Sequence, residues 1–156
     1  MIIELCNMIL TFLYGAFFTI IYLDLQCSRK NRAFIILYCA LSLSAQLAVF
    51  FTFSADAVYS FYPLLVHIPL LLVLIFGCRC KPLPSAASLF MSYFLTIPRY
   101  FLGSVLMLCF PGYITTISLG RVIATIPLAV IFYFFSVRPI RAALKRPYRD
   151  IRIFAV

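Results

Sequence analysis

Residues 85–110 read SAASLFMSYFLTIPRYFLGSVLMLCF, an apolar run carrying one charge, Arg99, directly behind Pro98. A run of this length can cross a bilayer. A guanidinium inside it costs roughly 2.5–3.5 kcal/mol on insertion scales, so something in the fold must pair or hydrate it. Arg99 is therefore the first candidate functional residue.

The whole chain shares the character of this run. Of its 156 residues, 65% are hydrophobic and 11% charged, and the mean hydropathy is +1.12. Soluble domains carry about 25% charged residues. The composition predicts an all-α, polytopic membrane helical bundle with no soluble domain beside it. Five spans are expected: Leu5–Leu25, Phe34–Ser54, Tyr62–Cys78, Ser85–Phe110 and Thr116–Val137. Together they make residues 1–137 a five-span transmembrane domain, followed by a basic cytoplasmic juxtamembrane segment, 138–156. The third span sits at the short limit, and the fourth is long enough to tilt or to break at Pro98. Met1-Ile2-Ile3-Glu4 lacks the positive start of a signal peptide, so the first span reads as a retained helix. The apolar Ile153–Val156 either closes a juxtamembrane helix on anionic lipid or begins a sixth span.

The net charge of +9 is distributed along the chain in a pattern that sets orientation. Arg29, Lys30, Arg32, Arg79, Lys81, Arg138, Arg141, Lys145, Arg146, Arg149 and Arg152 all fall on one side of the five spans. The positive-inside rule makes that side cytoplasmic, placing the N-terminus outside and the C-terminus inside a cell (plasma) membrane. Arg121 and Arg99 are the exceptions. The bilayer is thus the first expected partner. Nucleic acid is not expected, because these charges sit in short loops and line no groove.

Helical spacing then sorts residues onto faces. Ser85, Ser88, Ser92, Thr96, Arg99 and Gly103 recur at steps of three and four. Asn7, Thr11, Gly15 and Thr19 make a second such stripe, and Ser118, Arg121, Thr125 and Ala129 a third. Small residues let membrane helices approach closely, so the stripes, including Gly15, Ser88, Ser92, Thr96 and Gly103, read as packing seams. The exception is the stretch around Arg99. At 1.5 Å per residue, Gln46, His67 and Arg99 lie at similar depth in the outer half of the bundle. Pro69 follows His67, and Pro98 precedes Arg99. Proline frees a carbonyl, which membrane helices tolerate where protein or a cavity covers it. The expected ligand site is accordingly Gln46, His67, Pro98 and Arg99. Arginine suits a carboxylate or phosphate, pointing to an external anion, a lipid headgroup or a peptide C-terminus. Alternatively Arg99 snorkels, or bonds helix carbonyls and Gln46.

Catalytic chemistry finds little support. With one histidine and no acidic pair, the chain holds neither a metal triad nor a Ser/His/Asp set, and no cofactor is expected. It lacks a phosphate-binding glycine pattern. Cys39 and Cys109 fall inside spans, while Cys27, Cys78 and Cys80 fall at the reducing border. They read as small buried hydrophobes or acylation sites rather than as disulfides or zinc ligands.

Four stretches carry a resemblance: Tyr62-Pro63-Leu64-Leu65-Val66-His67-Ile68-Pro69-Leu70; Lys81-Pro82-Leu83 with Ala86-Ala87-Ser88; Pro98-Arg99-Tyr100-Phe101-Leu102-Gly103; and Arg138-Pro139-Ile140-Arg141. They are similar to the N-terminal membrane sensor region of Firmicutes GHKL-type histidine kinases related to quorum-sensing receptors. The resemblance implies a homodimeric sensor that passes an external or membrane-borne signal to a cytoplasmic kinase partner. The chain departs from that family in having no phospho-accepting histidine segment and no ATP-binding domain after the spans. A truncated or stand-alone sensor without kinase activity is the resulting expectation. A small transporter for an anionic solute, or a membrane scaffold, is the alternative.

Overall fold

The computed structural model describes residues 1–25, 28–114 and 116–145. Seven helices follow one another: α1 (Ile2–Tyr22), α2 (Arg29–Thr52), α3 (Ala55–Ser60), α4 (Pro63–Gly77), α5 (Pro82–Phe94), α6 (Thr96–Cys109) and α7 (Ile117–Lys145). The described residues contain no strand. Four stretches are long and apolar enough to cross a membrane: α1, α2, α5 with α6, and α7. The expected third span is the exception, because α4 has only 15 residues.

Each boundary has a local cause. Arg29, Lys30, Asn31 and Arg32, expected as a loop, form the first turn of α2 instead. Ser28, in extended conformation, caps that turn by accepting the Asn31 N–H at 3.1 Å. Helix α5 ends at Phe94 because Pro98 offers no N–H to that carbonyl and its ring crowds it. The chain turns at Leu95 and resumes as α6. Helix α7 does not stop at Val137: it runs through Arg138 and Pro139 to Lys145, so no break separates the expected juxtamembrane segment from the last span. Arg146, Arg149, Arg152 and the expected start of a sixth span lie outside the described residues, as does Cys27.

Proline also shapes α4. The helix is wound in π-helical turns over Pro63–His67 and Val73–Gly77, with an α-helical turn between. Pro69 cannot donate to the Leu65 carbonyl, and the Ser42 hydroxyl of α2 does so instead at 3.1 Å. One residue on, the Tyr38 hydroxyl donates to the Val66 carbonyl at 3.2 Å. The carbonyl that Pro69 frees is thus matched by a hydroxyl of the neighbouring helix.

Helix α1 is the hub of the bundle. Phe12 packs with Tyr38, Val66, Leu70, Leu74 and Leu89 from α2, α4 and α5. Tyr14, Phe18 and Tyr22 pack with Val137 of α7, and Met8 with Phe50 and Val58 of α2 and α3. The rest of the interior is unusually polar. Asn7, Thr11, Thr19, Ser42, Gln46, Ser85, Ser88, Ser92, Thr96, Arg99 and Thr125 are all buried. The surface carries the large apolar side chains, with Phe76, Phe101 and Phe135 at 75%, 71% and 77% exposure. Soluble proteins distribute these types the other way round.

Candidate functional site

The site begins where α6 and α7 touch backbone to backbone. A Cβ on Gly120 would collide with the Gly103 carbonyl oxygen. One on Gly103 would lie 2.8 Å from the Arg121 backbone nitrogen and 2.6 Å from its Cγ. Only glycine fits at both positions. This close approach holds the α6 face that carries Arg99 against the α7 face that carries Arg121 and Thr125.

Arg99 is fully buried, and all three of its guanidinium nitrogens donate to neutral oxygens. Nε donates to the Thr125 hydroxyl at 2.7 Å and to the Arg121 carbonyl at 3.3 Å. Nη1 donates to the Thr11 hydroxyl at 2.5 Å. Nη2 donates to the Asn7 side-chain oxygen and, at 3.3 Å, to the Asn7 carbonyl. Both threonine hydroxyls remain free to accept, because each spends its own proton on a carbonyl of its helix, Asn7 or Arg121. No carboxylate among the described residues pairs with Arg99. The arginine is therefore solvated by α1 and α7, and it joins them.

The residues expected to converge with Arg99 are placed elsewhere. Gln46 donates to the Ser42 carbonyl at 3.2 Å within α2, and its buried Oε1 finds no partner among the described residues. His67 stands edge-on between the rings of Tyr62 and Tyr93, at 5.2 and 5.4 Å. Pro98 acts through the α5–α6 break, where the Leu95 carbonyl accepts from the Tyr14 hydroxyl at 3.3 Å. Of the residues expected in packing seams, Ser92 bonds Thr19 of α1 at 2.6 Å, and Ser88 is buried on the same α5 face. Gly15 and Thr96 line the cavity described next.

That cavity, of about 300 Å³, lies beside the Arg99 cluster. Its polar wall is made by Tyr59, Tyr62, His67, Tyr93, Tyr100 and Arg121. Asn7 links the two features, because its amide nitrogen donates to the Tyr59 hydroxyl at 2.7 Å while its oxygen holds Arg99. The Arg121 guanidinium carbon lies 4.1 Å from the centre of the Tyr100 ring, in cation–π geometry. Its Nε is buried and unbonded among the described residues, and none of their carboxylates pairs with it. Arg121 thus keeps a buried nitrogen without an acceptor among the described residues, whereas every guanidinium nitrogen of Arg99 donates. Sequence reading places Arg121 in the stripe with Ser118, Thr125 and Ala129 and takes that stripe for a packing seam. The Arg121/Thr125 spacing, four apart like Asn7/Thr11, puts both on one face but does not show which helix that face meets.

At the opposite end, Asp24 follows α1 with φ 51°, a left-handed conformation that aspartate tolerates better than most residues. Its carboxylate pairs with Arg141 at 3.0 Å and Lys145 at 2.6 Å, both on α7. Arg141 Nε also donates to the Ile21 carbonyl at 2.6 Å. The Lys145 hydrogen bond, then the Arg141 and Lys145 charges, hold the Asp24 carboxyl below the usual carboxylate range.

What the fold and the cavity define is an all-helical protein with four membrane-length helices and a tyrosine- and arginine-lined chamber. No family model, curated protein or solved structure matches this chain.

Proposed function

We propose that this protein is a multi-pass membrane receptor that binds an anionic ligand at Arg121 and relays occupancy to the inner face through α1 and α7. The observation that carries the proposal is the buried, unbonded Nε of Arg121 in a chamber of tyrosines. A half-buried arginine whose Nε is buried and unbonded favours a carboxylate or phosphate able to accept two bonds at once. Tyrosine hydroxyls around it supply further donors, and the rings accept apolar parts of the same ligand.

The relay rests on geometry already described. Helices α1 and α7 both line the chamber, and both end at the Asp24 clasp. A ligand shifts such a pair only if it binds one helix arrangement more tightly than the other. The similarity to GHKL-type sensor regions supports the same reading, with a second copy or a cytoplasmic kinase module as the receiving partner. In this reading the 156 residues bind and relay rather than catalyse. Transport is less well supported, because Ser85, Ser88 and Ser92, the hydroxyls along α5, are closed off at 0–1% exposure.

The clasp also supports five crossings, and the one-sided basic residues favour an outside N-terminus. Four crossings would put the ends of α1 and α7 on opposite faces, yet Asp24 joins them. Counting α4 as a crossing removes the conflict. Its 15 residues span about 22 Å, which asks the bilayer to thin locally.

Thermal unfolding in detergent tests the proposal, comparing wild type with Arg121→Gln in the presence of acetate, phosphate and a free peptide C-terminus. At least one anion is expected to raise the wild-type Tm by mass action and leave the variant unmoved. Equal shifts in both proteins would end the proposal.

A further inference from the structure

A second concavity, of about 420 Å³, adjoins the chamber between α4 and α5. Pro63, His67, Leu89 and Tyr93 line both, so one wall separates a polar space from an apolar one. Beyond that wall the lining is Ile68, Leu71, Ala86 and Phe90, with no charged residue. Its mouth is on the outer surface, where Ile68, Phe90 and Tyr93 are 50%, 64% and 49% exposed. Both volumes fall within the range of small-molecule sites, roughly 300–1,000 Å³.

Resting on the anion reading of Arg121, we infer that the ligand is a single-chain amphiphile. Its acidic head lies at Arg121, and its hydrocarbon tail passes His67 and Tyr93 into the α4–α5 groove. Charge complementarity fixes the head end, because the chamber holds a cation without a described counter-ion. Apolar continuity fixes the tail end. A small hydrophilic anion would leave the groove empty, and a neutral hydrocarbon would leave Arg121 unpaired. The edge-on stack of His67 between Tyr62 and Tyr93 stands where the two parts of the molecule join. The groove opens sideways, so the ligand would enter from within the bilayer.

The experiment uses the full chain in phosphatidylcholine nanodiscs and reads Tm against dodecanoate, butyrate and dodecanol. Wild type, Arg121→Gln and Ala86→Trp are compared, the last adding a ring to the groove. Dodecanoate is expected to stabilise wild type at concentrations at least about ten-fold below the other two probes. Arg121→Gln should lose the response to both carboxylates. Ala86→Trp should lose the response to dodecanoate and keep that to butyrate, which shows that it still folds; Ala86→Phe is a milder plug should it not. Butyrate matching dodecanoate, with Ala86→Trp unaffected, would overturn the tail assignment and leave the anion reading standing. Dodecanol matching dodecanoate, with Arg121→Gln unaffected, would overturn the anion reading. A flat response to every probe removes both.

Discussion

The Nε of Arg99 donates to the Thr125 hydroxyl at 2.7 Å, and the Gly103–Gly120 contact one helical turn away sets that distance. A methyl group at either glycine has no room, and α6 and α7 must separate to admit it. Gly120→Ala is expected to cost about 1–3 kcal/mol, and Gly103→Ala a similar amount. Thermal unfolding in detergent checks this. A Gly120→Ala protein as stable as wild type would contradict the close approach.

Arg99 itself can be weighed by truncation. Removing it eliminates the burial of a charge, which helps, but leaves a void and unpaired acceptors on Asn7, Thr11 and Thr125. The second effect should dominate, so Arg99→Ala is expected to lose about 2–4 kcal/mol. Arg99→Met keeps most of the volume and should lose less. An Arg99→Ala protein that melts above wild type would mean that the desolvation cost outweighs the bonding.

Ser42 and Pro69 should behave as one unit. Ser42→Ala leaves the Leu65 carbonyl without a donor, at an expected cost of about 1 kcal/mol. In a Pro69→Ala background the restored N–H competes for that carbonyl, and the same serine change should cost close to nothing. A double-mutant cycle reads the difference directly. Strict additivity would disconnect the two residues.

The Asp24 clasp makes a signed statement about acid. Its carboxyl titrates below the ordinary aspartate value in the folded protein, held there first by Lys145. Its stabilising effect is therefore complete above the unfolded value of about 3.9 and disappears as pH falls through the lower, folded value. Wild type should out-melt Asp24→Asn by a constant margin from about pH 5 to 8, and the curves should converge in stronger acid. A margin that widens on acidification would reverse the assignment.

Much of this architecture was readable from the amino acids, because periodicity and proline act locally. The fourth expected span does break near Pro98, and the stripe of Ser92, Thr96 and Gly103 does face inward or against α7. Pairing between stripes was not readable. Depth placed Gln46, His67 and Arg99 at one level, but level does not say which helices touch. The Gly103–Gly120 contact turned Arg99 toward Asn7, Thr11 and Thr125, leaving His67 across the chamber and Gln46 on α2. Arg121 was read as part of a packing seam for the same reason, since its orientation depends on a glycine in another helix. The early start of α2 was missed because a run of basic residues resembles a loop until Ser28 is recognised as its cap.

The oxygens around Arg99 come from far apart in the chain: Thr11 lies 88 residues before it and Thr125 lies 26 after it. At about 5–20 residues per second, the ribosome completes α7 some seconds after Arg99 has been made. Throughout that interval the guanidinium has only the α1 half of its partners. A nascent chain still lacking α7 therefore carries an arginine bonded to α1 alone, because the Thr125 hydroxyl and the Arg121 carbonyl arrive last.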